Sequence, residues 1–418
     1  MIKEIITDIK GNFKPYLLIL LAVVISDDTF WFQTAGISLL VALKYGFIVL
    51  LSVLLAKYVK KKDFQIVFFV SFFLLLSCII SSHAISGGPL MLVLSIVSAF
   101  GIARYITINS FYKYYCNIIL LLIIYSGLFW ILLMVNTITP SSYSNVEGVT
   151  VMTYGGCIYY YDSFGILLRN SGLCREPGVF TVLICVAFIL DAFTSQKLNY
   201  KRLIIYVIGV FSTLSTAGVI ILAVTYFLYI LKHAKSFKTI IVPLLLSIFV
   251  VYTISKTEEL AGDLFGKIER GVDGSESVLG RQSSVTIPLK IIASHPLFGC
   301  GIDNFKPEYI YYGKILYNRE VDPDGLSTNT ILNAMAIYGL WYGIFLLWGL
   351  YRFVKRFGNT RIITLFIYLS VLLCLSNESM LYSMIIYIIV AMGIANRNSI
   401  SKVPVAYEKK SLSINVPS

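Results

Sequence analysis

Apolar residues recur along the chain in long blocks, each ended by a polar interval, and the blocks approach the length of a helix that crosses a bilayer, about 20 residues. Reading block against break predicts twelve helical spans, at 15–32, 35–56, 64–80, 89–106, 115–135, 177–194, 202–214, 217–231, 239–255, 329–351, 361–376 and 380–396. Two intervals are far longer than the others, 136–176 and 256–328. Both mix aromatic, glycine, proline and apolar residues, which favours structure packed on the membrane face over a loose linker. Within the second, Val285, Leu289 and Ile292 recur at helical spacing and suggest an interfacial helix. The seventh and eighth blocks are short and meet at Ser215, Thr216, Ala217 and Gly218, so they predict either two spans or a re-entrant pair. The expected fold is an all-α polytopic membrane protein: about twelve transmembrane helices and two structured periplasmic loops, in one membrane domain over 1–418.

The breaks supply an orientation. Most Lys and Arg residues lie at the N-terminus and in 57–62, 104–113, 197–202, 232–238, 352–361 and 397–410. The alternate breaks at 27–34, 81–88, 212–218 and 376–379 carry no Lys or Arg. Cytoplasmic loops of membrane proteins collect the basic residues, so both ends are expected in the cytoplasm, with 397–418 a short cytoplasmic tail. The two long loops then face the periplasm of a bacterial inner membrane. Composition agrees: 57% of residues are hydrophobic and 13% charged, against about 25% charged in a soluble domain. The net charge of +12 therefore reports topology rather than a nucleic-acid partner. The first block follows Lys3, Lys10 and Lys14 and has no small-residue cleavage site, so it reads as a retained first helix.

Chemistry-bearing residues gather in the two loops. The first ends in RNSGLCREPG (169–178). Pro177 suits the first turn of a helix, where its missing N–H costs nothing, and Glu176 then sits at the favoured end of the helix dipole. Arg169, Arg175 and Glu176 at a membrane mouth are costly to hold near lipid unless paired or used. The second loop carries Arg281, then His295, Pro296, Gly299, Gly301 and Asn304, and ends at Asp322, Asp324, Thr328 and Asn329. A glycine-rich turn can cradle an anion through backbone N–H groups, and Arg281 offers a planar fork suited to phosphate oxygens. His295 before a proline reads as structural. The cysteines and the three histidines follow no metal-ligand spacing, so no metal site is expected. Cys157 and Cys174 share the first loop, either as a disulfide or as two thiols.

These residues resemble the O-antigen polymerase and ligase superfamily over roughly 150–345. The likeness rests on Arg169, Gly172, Glu176, Pro177 and Gly178 in one loop and on Arg281, Pro296, Gly299 and Gly301 in the other. There is one departure. Where the ligase branch carries a His-Asn pair, this chain reads Thr328-Asn329, with Gly339 at the matching distance.

The resemblance implies glycosyl transfer outside the membrane without a cofactor. The donor and the acceptor would be undecaprenyl diphosphate carrying an oligosaccharide repeat unit. The growing chain would move from its lipid carrier to a sugar hydroxyl on the next carrier-linked unit, giving an O-antigen or related surface polysaccharide. A diphosphate leaving group needs its developing charge neutralised, which Arg does without a metal. Glu176, Arg281 and Asp324 are the expected catalytic residues, with Asp322 a further choice of base. Arg169, Arg175, Gly299, Gly301, Asn304 and Asn329 are expected to bind diphosphate or glycan. Tyr159, Tyr160 and Tyr161, with Tyr309, Tyr311 and Tyr312, suit either sugar stacking or an interfacial aromatic belt. Membrane lipids and a separate chain-length regulator are the expected partners. The alternatives are an O-antigen ligase, disfavoured by the missing His, and a lipid-linked oligosaccharide flippase, disfavoured by charge held in loops rather than spans.

Overall fold

The computed structural model describes residues 1–26, 29–33, 38–82, 87–146, 149–161, 168–194, 199–233, 276–323, 327–358 and 360–395. The predicted span at 239–255, the tail at 397–418 and Asp324 lie outside these residues.

The N-terminal half is a run of helices: α1 (Ile2–Gly11), α2 (Phe13–Val24), α3 (Phe30–Gln33), α4 (Ser38–Ala56), α5 (Lys61–Ser82), α6 (Gly87–Tyr105) and α7 (Ile108–Met134). Thr107 caps α7, its hydroxyl accepting the Ser110 N–H at 3.2 Å. α5 is apolar around its circumference and leaves Phe64, Phe68, Phe69 and Phe72 exposed, as a helix does when lipid is its solvent. α8 (Pro177–Thr194) is the opposite case. It is buried along nearly its whole length among α7, α9 (Tyr200–Ser212), α10 (Thr216–His233) and the later α15 (Arg361–Leu375). The remaining helices are α11 (Glu276–Ser294), α12 (Ile302–Tyr317), α13 (Thr330–Tyr338), α14 (Leu340–Val354) and α16 (Met384–Ala395).

Among the described residues, α5, α6, α7 and α8 are long and apolar enough to cross a membrane, and α2, α4, α10, α14, α15 and α16 are shorter apolar helices. The chain is thus a mostly helical, multi-pass membrane protein. Two features depart from the sequence expectation. The first loop is not helical: β1 (Ser142–Val146), β2 (Val149–Tyr154), β3 (Cys157–Tyr161) and β4 (Leu168–Gly172) form an antiparallel meander in the order β1-β2-β3-β4. It sits on the C-terminal end of α7, where Tyr159 donates to the Ser126 carbonyl at 3.0 Å and Trp130 to the Leu168 carbonyl at 2.6 Å. Cys157 and Cys174 are buried in separate clusters and are not joined in a disulfide, so the first-loop cysteines are two thiols.

The second departure is in the predicted span 329–351, which is broken at Gly339 into α13 and α14. Gly339 has φ +96° and ψ 166°, a conformation essentially confined to glycine, and a Cβ there would overlap the Leu297 carbonyl. The break exposes carbonyls that the second loop's turn satisfies. Cys300 N–H donates to Ala336 at 2.8 Å, Gly301 N–H to Ile337 at 3.0 Å, and Leu340 N–H returns to Pro296 at 2.9 Å. The far side of the turn is held by α5, where Ser81 donates to the Gly299 carbonyl at 2.9 Å.

α11 bears out the helical spacing in the second loop, with a different buried face. Ile287 and Ile291 are buried, whereas Val285 and Leu289 are exposed. α11 is bound to α12 through the His295–Glu308 pair at 2.8 Å and the Ser294–Tyr312 hydroxyl pair at 2.5 Å, which gives His295 a structural partner.

Candidate functional site

The first loop delivers its charges by way of β4 and the turn into α8. Arg169, on β4, donates from Nε to the Thr213 carbonyl at 3.2 Å, in the tight turn between α9 and α10. Its neighbour Asn170 is fully buried and donates to Ser126 at 3.0 Å and Ser212 at 3.1 Å, fixing the strand against α7 and α9. Arg175 is held from three sides. One guanidinium nitrogen pairs with Glu176 Oε1 at 3.2 Å, another donates to the Ser379 carbonyl at 2.7 Å, and the Arg175 carbonyl accepts from the Tyr160 hydroxyl. Glu176 stands at the start of α8 with 44% of its side chain exposed.

The second loop contributes Arg281 from α11. Its guanidinium is exposed and reaches Thr216 Oγ1 at 3.4 Å, the first residue of α10. The 213–216 turn therefore receives Arg169 from one loop and Arg281 from the other. Thr181, one turn into α8, closes this corner with a 2.7 Å hydroxyl pair to Thr213.

A third segment, between α15 and α16, completes the cluster with Glu378. Its backbone is pinned by α13: Thr330 donates to the Glu378 carbonyl at 2.6 Å and accepts the Met380 N–H at 2.9 Å. Its carboxyl lies over Gly178 so closely that a Cβ on that glycine would overlap it. Glu176, Arg175, Arg169 and Arg281 act on it electrostatically. Burial in this recess, reinforced by the charge of Glu176 and opposed by the three arginines, pushes the Glu378 carboxyl up to about 8.

Sequence reasoning singled out Arg169, Arg175, Glu176 and Arg281, and the fold brings all four around one point. It passed over Glu378. The signal was present: a lone acidic residue in a short outer turn between two apolar helices is costly unless paired or used.

Other expected site residues are arranged differently. The N–H groups of Gly299, Cys300 and Gly301 donate to the His295, Ala336 and Ile337 carbonyls, so these three donors hold the turn in its packing. Asn304 donates to the Ser81 and Cys300 carbonyls at 2.8 and 3.0 Å, at the same packing contact. Asn329 caps α13, accepting the Leu332 N–H at 3.0 Å, and reaches the cluster's edge. Asp322 is paired with Lys306 at 3.0 Å on the outer surface. Tyr159 and Tyr309 are fully buried and unavailable for stacking on a sugar, whereas Tyr311 is exposed.

Beside the cluster, a lateral groove of about 620 Å³ runs down between α10, α13, α14 and α15. Its walls are apolar, with Val224, Leu228, Ile331 and Leu369, and Asn329 and Ser376 lie at the end nearest Glu378. Thr328 bridges this end, donating to Ser284 Oγ on α11 and to the Ser376 carbonyl, both at 3.4 Å.

No curated protein and no solved structure matches the chain. Residues 202–347 match the family model described as O-antigen ligase. That interval runs from α9 into α14 and includes Arg281, Gly299, Gly301, Asn304 and Asn329, while Arg169, Arg175, Glu176 and Glu378 lie outside it. The match covers about a third of the chain and is consistent with the O-antigen polymerase and ligase superfamily that the site residues resemble.

Proposed function

We propose that the protein is an O-antigen polymerase: a glycosyltransferase that extends a surface polysaccharide from undecaprenyl-diphosphate-linked repeat units at the periplasmic face. The family indicates a function of the O-antigen ligase or polymerase type on lipid-linked glycans. The single observation that carries the reading to this site is the gathering of Arg169, Arg175 and Arg281 about one recess, from two loops far apart in sequence. The basic alternation of the breaks supports twelve spans with both termini cytoplasmic and this recess outside.

In this reading the apolar groove takes the polyprenyl chain, and the diphosphate lies where the groove opens beside the arginines. Guanidinium forks match phosphate oxygens two at a time and stay charged at any working pH. They are already oriented by Thr213, Thr216 and Ser379, so little reorganisation is needed as charge develops on the leaving group. The N-terminus of α8 adds a positive dipole end at the same place. The acceptor hydroxyl attacks the anomeric carbon, its oxygen forms the new glycosidic bond, and the carbon–oxygen bond to the diphosphate breaks with its electron pair. Asp324 remains a proposed member of the site from its place in the second loop.

Thr328 in place of the ligase branch's histidine favours polymerase over ligase. Cells lacking the protein should still carry a single repeat unit on their lipopolysaccharide, with the long ladder gone, on gels of extracted lipopolysaccharide. Loss of the single unit as well would contradict the polymerase reading.

A further inference from the structure

We propose that Glu378, and not Glu176, is the general base that takes the proton from the attacking sugar hydroxyl. This rests on the glycosyl-transfer reading above and adds to it a residue that lies outside the family match.

The two carboxylates differ in what holds them. Glu176 is 44% exposed, and its Oε1 is engaged by the Arg175 guanidinium. Glu378 is set deeper. Its main chain is clamped to α13 through Thr330, and the next residue is bound at both ends: Arg175 donates to the Ser379 carbonyl and Asn333 Nδ2 reaches the Ser379 hydroxyl at 3.4 Å. The clamp fixes the carboxyl over Gly178, at the start of α8, within electrostatic reach of all three arginines. A base must lie close to the anomeric carbon, and that carbon is bonded to the diphosphate the arginines would grip. Glu378 also adjoins the segment 328–330, where the ligase branch's histidine is absent, since Thr328 donates to the Ser376 carbonyl, two residues before it, and Thr330 to the Glu378 carbonyl.

The proton balance is simple. The hydroxyl oxygen bonds to the anomeric carbon as its hydrogen passes to Glu378, giving a neutral carboxylic acid. The anomeric carbon–oxygen bond breaks and both electrons leave with the diphosphate. Glu378 then releases its proton to the outer solution, and no oxidant or metal enters.

Burial and the neighbouring Glu176 charge raise this carboxyl to about 8, against Arg175, Arg169 and Arg281, which lower it. The base form therefore grows as pH rises, so kcat/KM should climb about tenfold per unit below a limb centred near pH 8. Removing the Glu176 charge removes a cause of the raised value, so in Glu176→Gln the limb should persist and move to lower pH.

The test is ladder formation by the purified full-length protein on undecaprenyl-diphosphate-linked repeat units, measured from pH 5.5 to 9.5. Glu378→Gln should lower the rate by roughly 10²–10⁴-fold and abolish the rising limb. Glu378→Asp should keep a limb at a reduced rate, which separates lost chemistry from lost folding. An active wild type whose limb survives in Glu378→Gln, or vanishes in Glu176→Gln, overturns the assignment alone. A wild type that transfers no glycan at any pH overturns the glycosyl-transfer reading and the assignment with it.

Discussion

Arg281→Ala is expected to abolish chain extension while the protein still inserts and accumulates normally. The guanidinium is exposed and, among the described residues, makes one long contact of 3.4 Å, to Thr216, so little of the fold depends on it. Its proposed task is to meet charge that appears on the diphosphate as the glycosyl bond breaks. Loss of one preorganised donor to such charge typically costs about 2.7–4 kcal/mol, or roughly a hundred- to a thousandfold in rate. Arg281→Lys should recover only part of this, because an ammonium restores the charge without the bidentate fork. A membrane anchor would behave differently. Lysine snorkels as well as arginine, so the Lys variant would then match the wild type. The measurement is ladder formation from lipid-linked repeat units, set beside the amount of protein recovered from membranes.

Gly178→Ala is expected to be nearly as damaging, by a different route. The added methyl would overlap the Glu378 carboxyl, whose place is defined by the open face of this glycine. The obstructing atoms are the far end of a flexible side chain, and Pro177 and Val179 around the site are unchanged, so the helix itself should survive. What moves is the carboxyl. A displacement of about 1 Å from productive geometry can cost on the order of a hundredfold. The variant should therefore fold, extract and melt like the wild type but lose extension by about that factor. Unchanged activity would mean that the position of Glu378 over α8 is irrelevant to the reaction.

Arg169, Arg175, Glu176 and Arg281 could be read from the sequence because charge beside a membrane is expensive, and residues that bear the expense stand out against apolar neighbours. Their convergence could not be read, since it depends on the α9–α10 turn receiving one arginine from each loop. Glu378 bore the same signal in the sequence, but its place in the cluster depends on Gly178 and Thr330, far away along the chain. The β-meander was more accessible than the all-α expectation allowed. β-Branched and aromatic residues flank Gly155-Gly156, a hairpin signal within what length alone marked as a loop. The break at Gly339 was invisible to hydropathy, which counts 329–351 as one apolar block and carries no term for backbone conformation. The turn at Gly299 and Gly301 shows the converse hazard. A glycine-rich motif suggested an anion cradle, yet the Cys300 and Gly301 N–H groups serve the carbonyls freed by that same break.

The central claim is that the outer recess around Arg169, Arg175, Arg281 and Glu378 transfers glycan from one lipid diphosphate to another. The most direct test is the purified protein, reconstituted in vesicles and given undecaprenyl-diphosphate-linked repeat units as its only glycan. The account predicts a ladder of lengthening lipid-linked chains together with release of undecaprenyl diphosphate. Intact protein that makes no chain longer than one repeat, or that transfers glycan only when a lipid A core acceptor is added, would contradict it.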